Sequence, residues 1–262
     1  MYRKRAERLD HLAHLLTDGG FLRLKEAAES LGVSEMTVRR DLATGDGRFS
    51  YLGGYIAAGP ESPGGMGYIL NREQETNTEL KRAASRAALD LIRPEDTLFI
   101  DCGTTTPHLA RLLPHDTGLT VICYSMNVAQ ILCRKPGIRV ILLGGLYHGS
   151  SAAFSSPEAL ETLRRMRINL ALLSAGGVHA EGGVSCSNFF EVAIKTLAME
   201  NAQSRALLVD STKFGLVKPE WFSDLADYDH ICTDEHFDPE GPLAPYIAGA
   251  SVHRGPVSAQ QP

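Results

Sequence analysis

The chain has 262 residues, of which 44% are hydrophobic and 22% are charged, and its net charge is −5. This composition predicts a globular protein with one small and one larger domain, and it excludes binding of nucleic acid through overall positive charge. No apolar run approaches the ~20 residues that cross a bilayer, and the charged N-terminus lacks the apolar stretch of a signal peptide, so we expect a cytoplasmic protein without membrane contact.

The first part of the chain predicts a helix-turn-helix. Short helices with one apolar face are predicted over residues 2–17, 24–31 and 35–43. Gly19-Gly20 ends the first helix, Gly32 breaks the second, and Ser34 caps the third. Residues 47–57 then predict a hairpin, or wing, with Gly53-Gly54 at its turn. This pattern is typical of proteins that place a recognition helix in the major groove of DNA.

The third predicted helix carries the side chains that are best placed to read DNA. At about 100° per residue, Val38 and Leu42 share one face, which we expect to pack inward. Thr37 and Arg40 then point toward base edges, while Arg39 lies at the shoulder and suits a phosphate. The plainer interpretation is that Arg39 and Arg40 are solvated helix charges paired with Asp41 or Glu35.

Contacts to the DNA backbone are predicted from hydroxyl and basic side chains around this helix. The hydroxyls of Ser34 and Thr37, together with the helix N-terminus, suit a phosphate. A basic rim is formed by Arg3, Lys4, Arg5, Arg8, Arg23 and Lys25. Neighbouring acidic residues partly cancel the charge of this rim, and Lys25 is its candidate DNA contact.

The rest of the chain predicts an α/β domain. Residues 58–74 are rich in Gly and Pro and predict a linker between a DNA-binding domain (1–57) and a larger domain (75–250), with a disordered tail over 251–262. In the larger domain, continuous apolar runs alternate with helical stretches, which predicts a mostly parallel sheet with helices on both faces. The predicted strands are 97–100, 119–123, 139–143, 170–173, 206–209 and 230–232. The predicted helices are 75–91, 107–113, 127–134, 157–166, 189–201 and 221–226.

Five polar or glycine-rich stretches directly follow apolar runs. They begin at Asp101, Tyr124, Gly144, Ser174 and Asp210, and the fourth includes Gly176. Because the carboxyl ends of parallel strands share one edge of a sheet, these stretches are predicted to meet around one ligand cleft.

The stretch from Gly103 to Thr106 has the features of a phosphate-binding segment. The glycine allows close approach of the backbone, the threonine hydroxyls are donors, and Pro107 suits the first position of a helix capped by Thr106. The plainer interpretation is an ordinary capped helix start. The chain has neither GxxxxGK[ST] nor GxGxxG, so we expect no P-loop and no dinucleotide or other cofactor. The five cysteines lack CxxC spacing, and no Cys or His cluster predicts a metal site.

Charged residues near the predicted cleft are compatible with two roles each. Asp101 and Asp210 end predicted strands and suit sugar hydroxyls, or serve as turn and cap carboxylates. Glu191 and Lys195 lie four residues apart on one helix and face the same way, either into the cleft or as a surface ion pair. Lys213 either neutralises a phosphate or is a solvated lysine.

The segment LKEAAESLGVSEMTVRRDL resembles the N-terminal signature of the DeoR family of bacterial regulators. The stretches LGGYI, TLFIDCGTTTP, CYSMN, SAGGVH and VDSTKFG extend the resemblance over about residues 3–235. The resemblance implies a sensor domain similar in fold to ribose-5-phosphate isomerase. It further implies an oligomeric repressor of nucleoside catabolism genes, released from double-stranded operator DNA by a phosphorylated sugar such as deoxyribose 5-phosphate. The segment after Leu42 lacks the Arg-x-His-Gly-Gly wing common in the family, so a wing contact with DNA is not predicted.

The resemblance also implies roles for individual residues. Phosphate binding is implied for Gly103, Thr104 and Thr105. Sugar or pocket roles are implied for Asp101, Ser125, Asn127, Glu191, Lys195 and Lys213. Two alternatives remain open: a sugar-phosphate isomerase with an accessory DNA-binding domain and Glu191 as its base, and an architectural DNA-binding protein that has no effector.

Overall fold

The chain divides into two compact units, residues 1–76 and 77–262. The computed structural model describes residues 2–16, 21–43, 49–52, 55–58 and 76–257. The predictions for Gly19-Gly20, Gly53-Gly54, the linker from residue 59 onward and residues 258–262 therefore lie outside the described residues. Within the described ranges, no helix is long and apolar enough to cross a membrane.

The N-terminal unit is a winged helix-turn-helix. Its helices are α1 (Tyr2–Leu15), α2 (Leu24–Ser30) and α3 (Glu35–Ala43), and its strands are β1 (Phe21–Arg23), β2 (Phe49–Leu52) and β3 (Tyr55–Ala58). The strands form an antiparallel sheet in the order β1-β3-β2. Leu12 and Leu16 pack with Leu24, Val38 and Ile56 in one apolar cluster, so all three helices and the wing share a core. The helices and the hairpin were predicted, but β1 was not, because three residues show no measurable period.

The turn of the helix-turn-helix depends on Gly32. Its backbone is left-handed, with φ +61°, which favours glycine. The amide of Gly32 donates to the Glu29 carbonyl at 3.2 Å, and the amide of Val33 donates to the Ala28 carbonyl at 3.0 Å. These two bonds form a Schellman motif, which satisfies the last carbonyls of α2 and turns the chain toward α3.

The C-terminal unit is built on seven parallel strands. They are β4 (Thr97–Ile100), β5 (Thr120–Cys123), β6 (Arg139–Leu142), β9 (Ile168–Leu173), β12 (Ala202–Leu208), β14 (His230–Asp234) and β15 (Ser251–Gly255). Their order in the sheet is β15-β14-β12-β9-β4-β5-β6, and every neighbouring pair is parallel. The strand order reverses at β4, because the chain builds β5 and β6 on one side and then returns to place β9 on the other.

Helices cover both faces of this sheet. They are α4 (Thr78–Ala87), α5 (Thr106–Leu112), α6 (Met126–Leu132), α7 (Pro157–Arg164) and α8 (Phe189–Asn201). Alternate residues of a strand point to opposite faces. Phe99 packs in the cluster of α7 and α8, whereas Leu98 and Ile100 pack in the cluster of α4, α5 and α6. Both faces are apolar, which explains the continuous rather than alternating apolar runs.

Small antiparallel pieces stand beside the main sheet and were not predicted. They are a hairpin of β7 (Leu146–His148) and β8 (Ala153–Ser155), and a three-stranded sheet of β10 (Gly177–His179), β11 (Gly183–Cys186) and β13 (Glu220–Ser223). Strands β10 and β11 lie between the strand predicted at 170–173 and the helix predicted at 189–201. The helix predicted at 221–226 is wrong, because Glu220–Ser223 form a strand that pairs with β11 and Leu225–Asp227 form a 3₁₀ turn.

The tail prediction is wrong for residues 251–257. Residues Ser251–Gly255 form edge strand β15, which pairs with β14 along its length. A side chain at Gly255 would place its Cβ 2.0 Å from the Ala83 carbonyl oxygen, so a glycine lets this strand lie directly on α4. This strand was not predicted, because the Gly, Pro and Ser residues of the tail are typical of disordered segments.

Candidate functional site

The start of α3 has the predicted cap. The hydroxyl of Ser34 accepts a hydrogen bond from the Thr37 amide at 3.3 Å and lies 3.0 Å from the Thr37 hydroxyl. Val38 is 2% exposed and Leu42 is half-buried, so the predicted inward face of the helix is confirmed. Ser34 and Thr37 are therefore held together at the N-terminus of the helix, where a phosphate is favoured.

The basic side chains of this unit fall into two groups. Lys25, Arg39 and Arg40 are exposed, as contact with DNA requires. Arg8 instead donates to the buried Asp41 carboxylate at 2.8 and 2.5 Å, and Arg5 donates to the Asp41 carbonyl at 3.1 Å. These bonds to Asp41 connect α3 to α1. Arg8 therefore has a structural role and is not part of the predicted basic rim. The side chains of Arg3 and Lys4 lie outside the described residues.

In the C-terminal unit, β4 and β9 end side by side where the strand order reverses. In open α/β sheets, this is the position at which the crevice for a ligand opens. Asp101 follows β4 and Ser174 follows β9, and the Asp101 carboxylate accepts hydrogen bonds from the Ser174 amide at 2.8 Å and the Ser174 hydroxyl at 3.1 Å. It also accepts from the Tyr124 hydroxyl at 2.6 Å. The predicted meeting of separate strand ends therefore holds for β4, β5 and β9.

Lys195 completes this buried cluster. Its ammonium pairs with Asp101 and also donates to the Ser174 carbonyl at 3.1 Å, and both charged side chains are at most 1% exposed. Burial lowers the pKa of Lys195, but the negative charges of Asp101 and Glu191 raise it by more, so the pKa lies above its usual range. The lysine is thus a fixed cation beneath the strand ends. Asp101 is fully buried, and its carboxylate is engaged by Ser174, Tyr124 and Lys195.

A polar chain leads outward from Lys195. Glu191 lies 3.7 Å from the Lys195 ammonium and accepts a hydrogen bond from the Asn188 side chain at 2.8 Å. Asn188 in turn accepts from the Ser150 hydroxyl at 3.2 Å. Glu191 is 4% exposed, so its pairing with Lys195 is a buried contact and not a surface ion pair. The chain connects the β7–β8 hairpin to the strand ends.

The loop after β4 brings backbone donors to the same crevice. Gly103 has φ +111°, and a Cβ there would lie 2.8 Å from the Ser174 hydroxyl, so a glycine is needed at this position. No described residue accepts a hydrogen bond from the amides of Gly103, Thr104 or Thr105. Thr105, and not the predicted Thr106, is the cap of α5, and Pro107 follows one position later than predicted. Successive unsatisfied amides of this kind form an anion-binding concavity.

Cationic side chains lie near the start of α5. His108 lies one turn into α5, and its pKa is lowered to about 4, first by burial and then by the positive charges of Arg111, Arg82 and Lys81. Lys81 is fully buried in α4, one turn before Ser85, whose hydroxyl donates to the Thr105 carbonyl at 3.3 Å. Lys81 was not predicted as a site residue, because a lysine on an amphipathic helix is ordinarily solvated.

Buried polar atoms without a hydrogen-bond partner among the described residues collect at the same edge of the sheet. They are Thr106 Oγ1, Ser125 Oγ, Asn127 Nδ2, Ser151 Oγ, Asp210 Oδ2 and Thr233 Oγ1. Each follows or ends a strand of the sheet except Ser151, which lies two residues before Ala153, the residue that bridges to Ser125. Thr117 Oγ1 is similarly unpartnered at the opposite edge. Orphaned buried donors and acceptors are costly, and a bound ligand relieves the cost.

Two predicted residues are placed differently from the others. The amide of Gly176 already donates to the Ser185 carbonyl at 2.8 Å, and the Lys218 side chain covers its Cα, so Gly176 presents no backbone donor. Lys213 lies half-buried in the 3₁₀ turn Ser211–Lys213, after β12. That strand is separated from β4 by β9, which puts Lys213 toward one end of the crevice and Asn127 toward the other.

No group of three or more His, Cys, Asp or Glu in the described part of the chain has the arrangement of a metal site. The five cysteines are free thiols, and only Cys133 among them is exposed. Burial raises the pKa of the Cys102 thiol beside the cluster, as do the charges of Glu191 and Asp101.

Comparison with known proteins decides the family. The DeoR C terminal sensor domain matches residues 76–235, and the DeoR-like helix-turn-helix domain matches residues 8–46. The chain belongs to the DeoR family. Among curated DeoR-like proteins, it is 40% identical to the deoxyribose operon repressor of Escherichia coli K12 over 89% of this chain and 92% of that protein. It is 32% identical to the lactose phosphotransferase system repressor of Staphylococcus epidermidis RP62A over 88% of this chain and 92% of that protein.

Solved structures align with part of this DeoR-family chain. Ribose 5-phosphate isomerase A from Neisseria gonorrhoeae aligns with a TM-score of 0.39 at 14% identity over 55% of this chain and 56% of that one. The fold described above rests on the strand pairing itself. The chain is therefore a DeoR-family repressor with a helix-turn-helix and a sensor domain, and the isomerase alternative is set aside.

Proposed function

We propose that the chain represses genes of deoxynucleoside catabolism and that a pentose phosphate, deoxyribose 5-phosphate in the first place, releases it from its operator in the cytoplasm. The observation that carries the proposal is the run of three unbonded amides at Gly103, Thr104 and Thr105, beside orphaned buried polar atoms at the reversal point of the sheet. The relative that is 40% identical is a deoxyribose operon repressor, which supports the choice of sugar.

In this proposal the amides and hydroxyls of Gly103–Thr105 bind the phosphate. Fixed amides bind oxyanions well because they are oriented before the ligand arrives. Ser125, Asn127 and Asp210 bind sugar hydroxyls, since each carries a buried atom without a partner among the described residues. Lys213 adds positive charge at the end of the crevice. Asp101, Lys195 and Glu191 act by holding the strand ends in place, and Gly176 only allows close packing.

The DNA side of the proposal uses the exposed face of α3. Arg40 and Thr37 read base edges, whereas Arg39, Ser34 and Lys25 bind phosphates. We expect a homo-oligomer, because paired helix-turn-helix units match the half-sites of an operator. Release then requires that the sugar phosphate binds the non-DNA-binding arrangement more tightly, and a tenfold loss of operator affinity needs about 1.4 kcal/mol of such coupling.

Isothermal titration calorimetry tests the ligand assignment. We expect deoxyribose 5-phosphate to bind, unphosphorylated deoxyribose to bind at least a hundredfold more weakly, and Thr104→Val to lose at least tenfold in affinity. Thr117→Val is the matched control, because it removes an unpartnered hydroxyl at the opposite edge of the sheet. Equal binding of sugar and sugar phosphate contradicts the phosphate site, and equal losses in the two variants contradict its location.

A further inference from the structure

A cavity of about 380 Å³ lies in the C-terminal unit, and the Gly103 loop does not line it. It opens between the ends of β12 and β14 and the turn that joins β10 to β11. Its volume falls within the range of small-molecule sites. None of the residues proposed to bind the sugar phosphate lines it.

The walls of this cavity are largely apolar and aromatic. Phe214 and Phe237 stack on each other with ring centroids 4.1 Å apart and planes inclined by 26°, and this aromatic pair lines one side of the cavity. Leu243 and Ala180 add aliphatic surface. An aromatic wall of this kind favours a flat ring that packs against it.

A few polar groups also line the cavity. The Nδ1 atom of His179 accepts hydrogen bonds from the amides of Glu181 at 3.2 Å and Gly182 at 3.1 Å. The ring proton therefore resides on Nε2, which donates to no described residue. The Ser211 hydroxyl likewise bonds to no described residue, while the Ser211 amide is fixed to Asp234 at 2.6 Å.

Asp238 is the carboxylate among the residues that line the cavity. Its carboxylate accepts a hydrogen bond from the Glu240 amide at 3.0 Å and pairs with no Lys or Arg among the described residues. The other acid or base side chains of the lining are His179 and His236. A negative charge at the rim disfavours phosphates and carboxylates and favours a ligand that donates N–H groups.

We propose that this cavity is a second ligand site, for a neutral planar heterocycle with an exocyclic amino group, of the nucleobase type. The heterocycle packs against the stacked pair of Phe214 and Phe237, its amino group donates to Asp238, and a ring nitrogen or carbonyl accepts from His179 Nε2. The inference stands on the cavity alone and is independent of the proposed sugar-phosphate effector.

Calorimetry on the full chain with adenine and cytosine as probes tests the site. We expect at least one of the two to bind, and benzoate, which is planar but anionic, to bind at least tenfold more weakly. Ala180→Phe fills the cavity and is expected to weaken binding at least tenfold. Asp238→Asn is expected to weaken it at least fivefold, while Asp90→Asn, an exposed carboxylate elsewhere, leaves it unchanged.

The outcomes separate this inference from the proposed effector. Unchanged binding of deoxyribose 5-phosphate to Ala180→Phe shows that the two sites are distinct. If Ala180→Phe lowers the melting temperature, the affinity of Asp238→Asn for the bases is used instead to test the cavity. Absence of binding by both bases overturns the inference, as does equal binding of benzoate. Full affinity in both cavity variants places the ligand elsewhere and overturns it too.

Discussion

Lys195 on α8 and Asp101 at the end of β4, 94 residues apart in the chain, form an ion pair in which neither side chain is more than 1% exposed. The same ammonium donates to the Ser174 carbonyl, so one lysine joins the ends of the two strands at which the sheet order reverses. The geometry of the crevice therefore depends on a helix that begins far along the sequence.

Replacing Lys195 with Met is expected to destabilise the C-terminal unit by ~3–5 kcal/mol, because it leaves Asp101 as a buried carboxylate without its cation. Urea denaturation measures the loss. The double variant Asp101→Asn/Lys195→Met is expected to recover part of it, because the isolated charge is then removed. If the loss of unfolding free energy in the double variant equals the sum of the losses in the two single variants, a direct coupling between the two side chains is contradicted.

Gly103→Ala tests the loop that carries the three amides. The substituted residue must keep φ +111° and place its Cβ 2.8 Å from the Ser174 hydroxyl, so we expect a cost of ~1–3 kcal/mol and at least a tenfold loss of sugar-phosphate affinity. Gly249→Ala is the control, because a Cβ there meets no atom within 4 Å. If calorimetry finds that Gly103→Ala binds the sugar phosphate with wild-type affinity, close approach of the Gly103 backbone to the phosphate is contradicted.

The low pKa of His108, about 4 against an ordinary 6.5, predicts a pH dependence of stability. Between these values the unfolded chain binds more protons than the folded chain, so this contribution is present above pH 6.5 and is lost as the pH falls toward 4. Because His108 is partly exposed, we expect a loss of ~1–2 kcal/mol in the free energy of unfolding. His108→Gln should remove this slope.

A bound phosphate near Thr105 should shift the titration of His108. A negative charge there favours the imidazolium, so we expect its pKa to rise when deoxyribose 5-phosphate binds. Nuclear magnetic resonance of the ring protons measures this shift, and the exposed His115 serves as the reference signal. A His108 titration that is identical with and without ligand contradicts a phosphate at this loop.

Substitutions on α3 should separate base reading from phosphate binding. Arg40→Ala is expected to lower operator affinity by ~1–3 kcal/mol while leaving affinity for random DNA nearly unchanged. Arg39→Ala is expected to weaken both and to reduce the salt dependence of binding. Fluorescence anisotropy on the two DNAs, with Arg134→Ala as control, makes the comparison. Equal losses on both DNAs for Arg40→Ala contradict its assignment to base edges.

The parallel sheet could be predicted because its strands are buried on both faces and show as uninterrupted apolar runs, such as Leu170–Leu173. The ends of those runs also pointed to the crevice. The pairing of Glu191 with Lys195 could be predicted from their spacing of four residues on one helix. The pairing of Asp101 with Lys195 could not, because it depends on how α8 packs against the sheet. Ser151 was missed because it lies in the β7–β8 hairpin, whose strands have three residues each and which bridges to Ser125 through Ala153.

Operator release by a sugar phosphate tests the central claim most directly. Deoxyribose 5-phosphate is titrated into the complex of the repressor with its operator, and the fraction of bound DNA is followed by anisotropy. We expect dissociation with the wild type and with Thr117→Val, whereas Thr104→Val and Thr105→Val bind the operator normally but stay bound as the ligand is added. Release of these two variants at the wild-type concentration of ligand contradicts the account.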